Sequence, residues 1–299
     1  MTTVATEPDQ SMRVRQELAE FLDLDPDRLT DPARLVEDLG LDSLAMMRVV
    51  VWLEHQGVVI DGDRAQPARV ADLLSLVAAV AAPGVSVRMT SGGGNGGGPA
   101  GGGPAGGFGV TDVPVPQLSG SDPLAPVLTG HGLRLDPVTP EDTRFLYTLA
   151  IAPETSYHWR YRGAPPSLER FTGDMWNQMV VQFVARRIED NQPVGQVIAY
   201  SADPTARFVY VGAVFVPSYT GTGLAAHAVG VFVRYLFHTF PLSKVYLEIP
   251  GYNWPQLRSG EGNLFEVEGV LRDHYYYAGR CWDQYLCAIY RDRPLPDGP

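Results

Sequence analysis

Two short stretches of the 299-residue chain combine residue types and spacing that point to chemistry. The first is Asp38-Leu39-Gly40-Leu41-Asp42-Ser43-Leu44. An apolar-periodic run with Leu44, Met47 and Val51 on one face follows it, so Asp42-Ser43 opens a helix from about Ser43 to Gln56, stopped by Gly57. The first N–H groups of a helix lack intrahelical partners and form the positive end of its dipole. A phosphodiester on the Ser43 hydroxyl would sit in that field. A plain N-cap accounts for Asp42 or Ser43 alone, but not for Gly40 or for the acidic, helical surroundings. The second stretch is Val214-Phe215-Val216-Pro217-Ser218-Tyr219-Thr220-Gly221-Thr222-Gly223-Leu224-Ala225. It reads as strand, glycine loop and helix start, where backbone N–H groups can hold an anion and small residues let the chain approach it. A bare G-x-G is often only a turn; the strand before and the helix after supply the context that raises it above one.

The first stretch resembles the attachment motif of acyl carrier proteins, [DE]-x-G-x-D-S-L, at every fixed position. That resemblance implies 4′-phosphopantetheine carried covalently on Ser43 and a phosphopantetheinyl transferase and an acyl-loading enzyme as partners. The second is similar to the acyl-donor loop of GNAT acyltransferases, [QR]-x-x-G-x-[GA], and the likeness runs from about Leu133 to Tyr290. It implies donor binding by Val214, Phe215, Val216, Gly221, Thr222, Gly223, Leu224 and Ala225, with Asn253 after the next strand, and an oxyanion donor among the Val214–Val216 N–H groups. Three positions depart from the pattern. Ser218 replaces the Gln or Arg that helps to bind the pyrophosphate of coenzyme A, so the expected donor is a carrier-borne thioester, with acyl-CoA as a possible one. Phe265 stands where a Tyr often protonates the leaving thiolate, and Tyr210 where a Glu often sits. The candidates for proton transfer are therefore Tyr210, Glu248 and His158, with His274 less favoured, as part of a turn-like Arg-Asp-His-Tyr run. His227, Arg234 and His238 fall on one narrow stripe and read as a solvated helix face.

These motifs need elements to position them. Val14, Leu18, Phe21 and Leu22 mark a helix before the serine, and Val70, Leu73, Leu74 and Val77 another after it, giving a small all-α bundle in residues 1–90. The bundle holds 15 acidic and 8 basic residues, most of the chain's net charge of -11. Residues 91–109 contain 12 glycines in 19 positions. They read as a flexible tether with an r.m.s. span of roughly 25 Å, extending in a Gly/Pro-rich linker to 128. From 129 to 299 the grammar is mixed. Strand composition at Gln182–Arg186, Val194–Tyr200, Arg207–Val216, Val245–Ile249 and Trp282–Tyr290, with a helix of about 16 residues after the glycine loop, predicts an α+β domain with a mostly antiparallel sheet.

Composition excludes several classes. An acidic chain whose only lysine is Lys244 offers no basic stripe for nucleic acid and no patch for anionic lipid. No opening segment reads as a signal peptide, and no apolar run reaches the length of a membrane span. Cys281 and Cys287 lie six apart on one strand face and read as two reduced core thiols of a cytoplasmic protein. No metal-ligand spacing and no nucleophile elbow occur. The expectation is an acyl transfer from phosphopantetheine to a small-molecule amine, in a setting such as polyketide, nonribosomal-peptide or antibiotic biosynthesis. Two alternatives remain: a loading or decarboxylating S-acyltransferase that charges its own arm from acyl-CoA, and a docking module without catalysis.

Overall fold

The computed structural model describes residues 7–58, 67–81, 124–219 and 221–293. Most of the expected tether, 91–123, and Thr220 of the glycine loop lie outside them.

The N-terminal unit packs α1 (Glu7–Leu22), α2 (Ser43–His55) and α3 (Val70–Ala81) around Leu18, Leu29, Val49, Leu53, Val70 and Leu73, all essentially inaccessible to water. Asp42 caps α2, its carboxylate accepting from the Ala45 N–H at 2.9 Å. Gly40, with φ +74°, makes the turn into the cap. Helix α2 is apolar almost all round, because it has two buried faces. Ala45, Met46, Val49, Trp52 and Leu53 face the bundle, whereas Leu44 and Met47 belong to the core of the second unit. The Leu44–Met47–Val51 stripe is thus the outward face of the bundle, not its inner one.

The second unit is one eight-stranded sheet with β1 (Thr129–Gly130), β2 (Leu133–Pro137), β3 (Met179–Arg187), β4 (Pro193–Asp203), β5 (Phe208–Phe215), β6 (Lys244–Pro250), β7 (Glu266–Tyr277) and β8 (Arg280–Tyr290), in the order β1-β2-β3-β4-β5-β6-β8-β7. All neighbours are antiparallel except β5 and β6, which are joined through α7 (Leu224–Thr239). Helix α7 covers one face, packing Val231 and Phe232 over Val197, Val211 and Ile249. Helices α4 (Thr143–Ile151), α5 (Pro153–Ser156) and α6 (Leu168–Asp174) cover the other, over Val184, Ile198 and Val214. The 124–128 end of the expected linker already lies on this unit: Leu128 packs on its core and the Leu124 carbonyl meets Nε2 of His238 at 2.7 Å.

Two expectations change here. The Arg272–Tyr275 run is part of β7, not a turn; a register shift between Leu271 and Tyr275, with Asp273 at φ +49°, marks a bulge that places His274 on a strand. Of the two cysteines only Cys287 is buried. Cys281 is exposed at the start of β8, beside the β7–β8 turn and beyond the reach of the core.

Candidate active site

The site is built on the parting of β5 from β6. Their parallel register runs from Phe208↔Lys244 to Val211↔Leu247 and then stops, although both strands continue. The sheet is therefore open from Gly212 onward. Val216 donates its N–H to the Val194 carbonyl at 2.9 Å, so this N–H is committed to β4. Alternation along the strand directs the N–H groups of Ala213 and Phe215 toward the gap instead. Of the three N–H groups of 214–216, only that of Phe215 faces the opening, and Ala213 joins it.

A chamber of about 550 Å³ passes through this gap, within the range of small-molecule pockets. On the α7 side its walls include Ala225, His227 and Val229, together with Leu44, Met47 and Val51 of α2. On the α4 side they include Trp159, Ile198, Tyr200, Glu248 and Tyr275. Gly212 sits where the strands part, and a Cβ there would lie 3.3 Å from the Trp159 ring. Asn253 lines the chamber beyond β6.

The glycine loop meets the serine helix directly. Gly223 has φ +79° and stands at the N-cap of α7. A Cβ on it would come 2.9 Å from the Met47 N and 3.2 Å from the Ser43 carbonyl oxygen. Gly221 is also left-handed, at φ +78°. Thr222 turns its hydroxyl onto the Tyr219 carbonyl at 2.8 Å and receives the Leu224 N–H at 3.3 Å. Further contacts seat α2. The Ser259 N–H donates to Asp42 at 3.0 Å, and the Ser259 hydroxyl also donates to this carboxylate. Leu44 lies over Gly260, where a Cβ would come within 2.5 Å of it. At the far end of α2 the Glu54 carboxylate meets Nδ1 of His131 at 2.9 Å. Burying side chains such as Leu44 and Met47 contributes about 1.5–3 kcal/mol each. Arg48, the basic residue of α2, turns back onto the Phe21 carbonyl and ring of its own bundle.

The proton-transfer candidates separate. Glu248 lines the chamber and accepts from the Tyr200 hydroxyl at 2.9 Å and from Nε2 of Gln284 at 2.6 Å. Burial, then the adjacent Glu248, pushes the Tyr200 phenol far above its ordinary range, so it stays protonated. Tyr210 faces the same side but stacks between Tyr200 and Tyr246, outside the residues that line the chamber. His158 lines the chamber, and burial lowers its pKa. His274 stacks edge-on against Tyr275 at 5.6 Å. Phe265 closes one wall and offers only apolar surface.

His227 is the clearest correction. It does not lie on a solvated stripe: it is buried, lines the chamber, and stacks on His131 with ring centres 3.7 Å apart. Burial holds its pKa well below the usual value, with His131 and Arg234 adding to the effect. The sequence-based reading missed Ala213, Gly212, Ser259, Gly260, His131 and Tyr275. Only Gly212 and Gly260 carried a signal, as isolated glycines next to strand or loop segments. Among the described residues no group of three or more His, Cys, Asp or Glu is placed to hold a metal ion. No described helix is long and apolar enough to cross a membrane.

Residues 13–77 match the phosphopantetheine attachment site family and residues 132–258 match the acetyltransferase (GNAT) domain family. The chain thus joins a phosphopantetheine-attachment domain over 13–77 to an acyltransferase domain of the GNAT class over 132–258. Among solved structures it is similar to spermidine N-acetyltransferase from Vibrio cholerae in complex with CoA and spermine, at 21% identity over 54% of this chain and 97% of that one, with a TM-score of 0.49. A dodecameric structure of the Vibrio cholerae enzyme in an intermediate state gives 20% identity over 54% and 94% of the two chains, with a TM-score of 0.46.

Proposed function

We propose that the chain transfers an acyl group from a phosphopantetheine thioester on its own Ser43 to an amine acceptor. The observation that carries this reading is the seating of the first turn of α2 on Gly223, beside a chamber that crosses the sheet. Leu44 and Met47 would hold an arm on Ser43 at the α7 side of the gap between β5 and β6, where it would supply the acyl thioester. The amine approaches from the α4 side. Glu248 takes a proton from the ammonium form. The neutral nitrogen attacks the thioester carbon, the C–N bond forms and the C–S bond breaks. The proton shed by the new amide passes to the sulfur, which leaves as the thiol. The N–H group of Phe215, the one of 214–216 that faces the gap, steadies the oxyanion.

The alternative donor, acyl-CoA, would place its pyrophosphate on a loop already occupied by Met47 and Ser43, with Ser218 in place of the expected Gln or Arg. A CoA-bound and a carrier-docked state therefore exclude each other at Gly223. A phosphopantetheinyl transferase and an acyl-loading enzyme are the partners this reading needs, and specialised metabolism of the polyketide or nonribosomal-peptide kind is its setting.

The test is single-turnover chemistry on the full chain, produced with a phosphopantetheinyl transferase and loaded with an acyl group. Intact mass should show the acyl group lost to an added amine at a rate independent of chain concentration, as delivery within one molecule requires. Ser43→Ala should carry no arm and form no amide. Equal amide formation by Ser43→Ala from free acyl-CoA would overturn the reading.

A further inference from the structure

The α4 side of the chamber has a charge pattern that defines the acceptor more closely. The whole chain is acidic, yet the chamber is lined on this side by Arg160 and Arg162, and on the α7 side by Arg234, against one carboxylate, Glu248. Both hydrogen-bond partners of Glu248 are neutral, the Tyr200 phenol and the Gln284 amide. Arg162 is also held by a neutral group: it donates to the Tyr275 hydroxyl at 2.9 Å, with its guanidinium carbon 4.6 Å from the Tyr275 ring centre. Arg160 spends two donors on the Met175 and Asp174 carbonyls. No ion pair joins Glu248 to Arg162 or Arg160 among the described residues.

Tyr275 lines the chamber with both charges and is in direct contact with Arg162. Its phenol is raised chiefly by burial; Arg162 acts to lower it and Glu248 to raise it. A carboxylate and a guanidinium thus line one chamber without pairing with each other. Arg162 itself is held at φ +48°, followed by Gly163 at φ +81°. A left-handed residue other than glycine is strained, and such strain gathers at ligand-binding positions.

We infer that the acceptor is an amino-acid-like molecule, its ammonium taken by Glu248 and its carboxylate by the guanidinium of Arg162 at the chamber mouth. This rests on the acyl-transfer reading above and adds the second charge. An arginine suits this end because its planar fork matches a carboxylate with two parallel hydrogen bonds.

The experiment compares three acceptors with the acyl-loaded full chain: an α-amino acid, its methyl ester, and the amine of the same side chain without the carboxylate. Calorimetric binding of the same compounds to the chain carrying the free phosphopantetheine thiol reads recognition without turnover. The amino acid should bind at least tenfold more tightly than the other two, with a matching ratio in kcat/KM. Arg162→Gln should bring both ratios below about threefold, through KM more than kcat, and Arg162→Lys should restore part of them. Equal binding of the three compounds would overturn the inference even if all are acylated, leaving the acyl-transfer reading intact. Preference for the amino acid that survives Arg162→Gln would overturn it as well. Selective binding with no acylation of any amine would support the charge assignment and sink the acyl-transfer reading instead.

Discussion

On the α7 side of the sheet the chamber is walled by Leu44, Met47, Val51 and Val229; on the α4 side by Arg162, Glu248, Tyr200 and Tyr275. The same opening between β5 and β6 thus joins an apolar wall that a second domain completes to a polar wall made by the acyltransferase domain alone. The difference follows from what each side must hold. A docked helix is retained by area removed from water, which is non-directional and tolerant of small shifts. A small charged acceptor is retained by a few placed hydrogen bonds, which are directional and sensitive to single atoms. Changes on the polar side should therefore act on acceptor binding and the chemical step, and changes on the apolar side on delivery of the arm.

The largest effect is expected at Glu248. Glu248→Gln keeps the shape and the chance of a hydrogen bond with Tyr200 but removes the proton acceptor. General-base contributions of this kind are about 10²–10⁴-fold. The single-turnover rate from the acylated arm should fall by that order while phosphopantetheine loading at Ser43 is unchanged. A loss under about threefold would remove Glu248 from the chemistry and break the assignment of the polar wall.

Gly223→Ala comes next and acts on the other side. The added Cβ would stand 2.9 Å from the Met47 N, and the left-handed φ disfavours any side chain. Delivery from the tethered arm should fall on the order of a hundredfold, while Ser43 becomes easier for a phosphopantetheinyl transferase to reach. Equal transfer rates in the variant and the parent chain would show that the seated arrangement is not the productive one.

How much of this was legible beforehand divides along the same line. The Asp-Ser start of α2, the glycine loop and the 16-residue helix after it are local, because caps and left-handed turns are fixed by the residues that make them. The strands at β4, β5 and β6 fell within a few residues of their predicted bounds for the same reason. The Leu44–Met47–Val51 stripe was also visible, but periodicity reports that a face is buried and not what buries it. Glu54 is used on His131 and Arg48 is turned inward, so this helix docks by apolar area and a few polar contacts. His227 reads as a polar break on a helix, and only the partner ring of His131, nearly 100 positions away, explains its burial. Arg162 and Glu248 meet around Tyr275 because three distant segments converge, and no spacing rule encodes that.

Acidification tests the apolar side through His227. Its folded pKa is depressed well below 6.5 by burial, beside His131 and Arg234, with Glu54 on the far edge of His131. Undocking opens the chamber wall and lets this imidazole take up a proton at its ordinary pKa. The undocked state then binds more protons below about pH 6.5, so acid favours it. The docking equilibrium should weaken by up to about tenfold per pH unit below that value. A His227→Gln chain, followed by the distance between labels on the two domains, should lose most of this slope. An unchanged slope would show that His227 is not the source of the pH response.

The smallest effect is expected at that pair. The Glu54 side chain is 30% exposed and the His131 side chain 5%, so the contact is screened from one edge only. Removing one partner of a half-exposed ion pair typically costs about 0.2–1 kcal/mol. Glu54→Gln should therefore weaken docking two- to fivefold, read from the distance between labels on the two domains. The apolar wall of Leu44 and Met47 is left untouched by the change, so the single-turnover rate at saturating acceptor should hold. If Glu54→Gln instead abolished transfer, docking would depend on this one contact. The contrast between a wall held by area and a wall held by placed charges would then fail on the side where it is argued to be most tolerant.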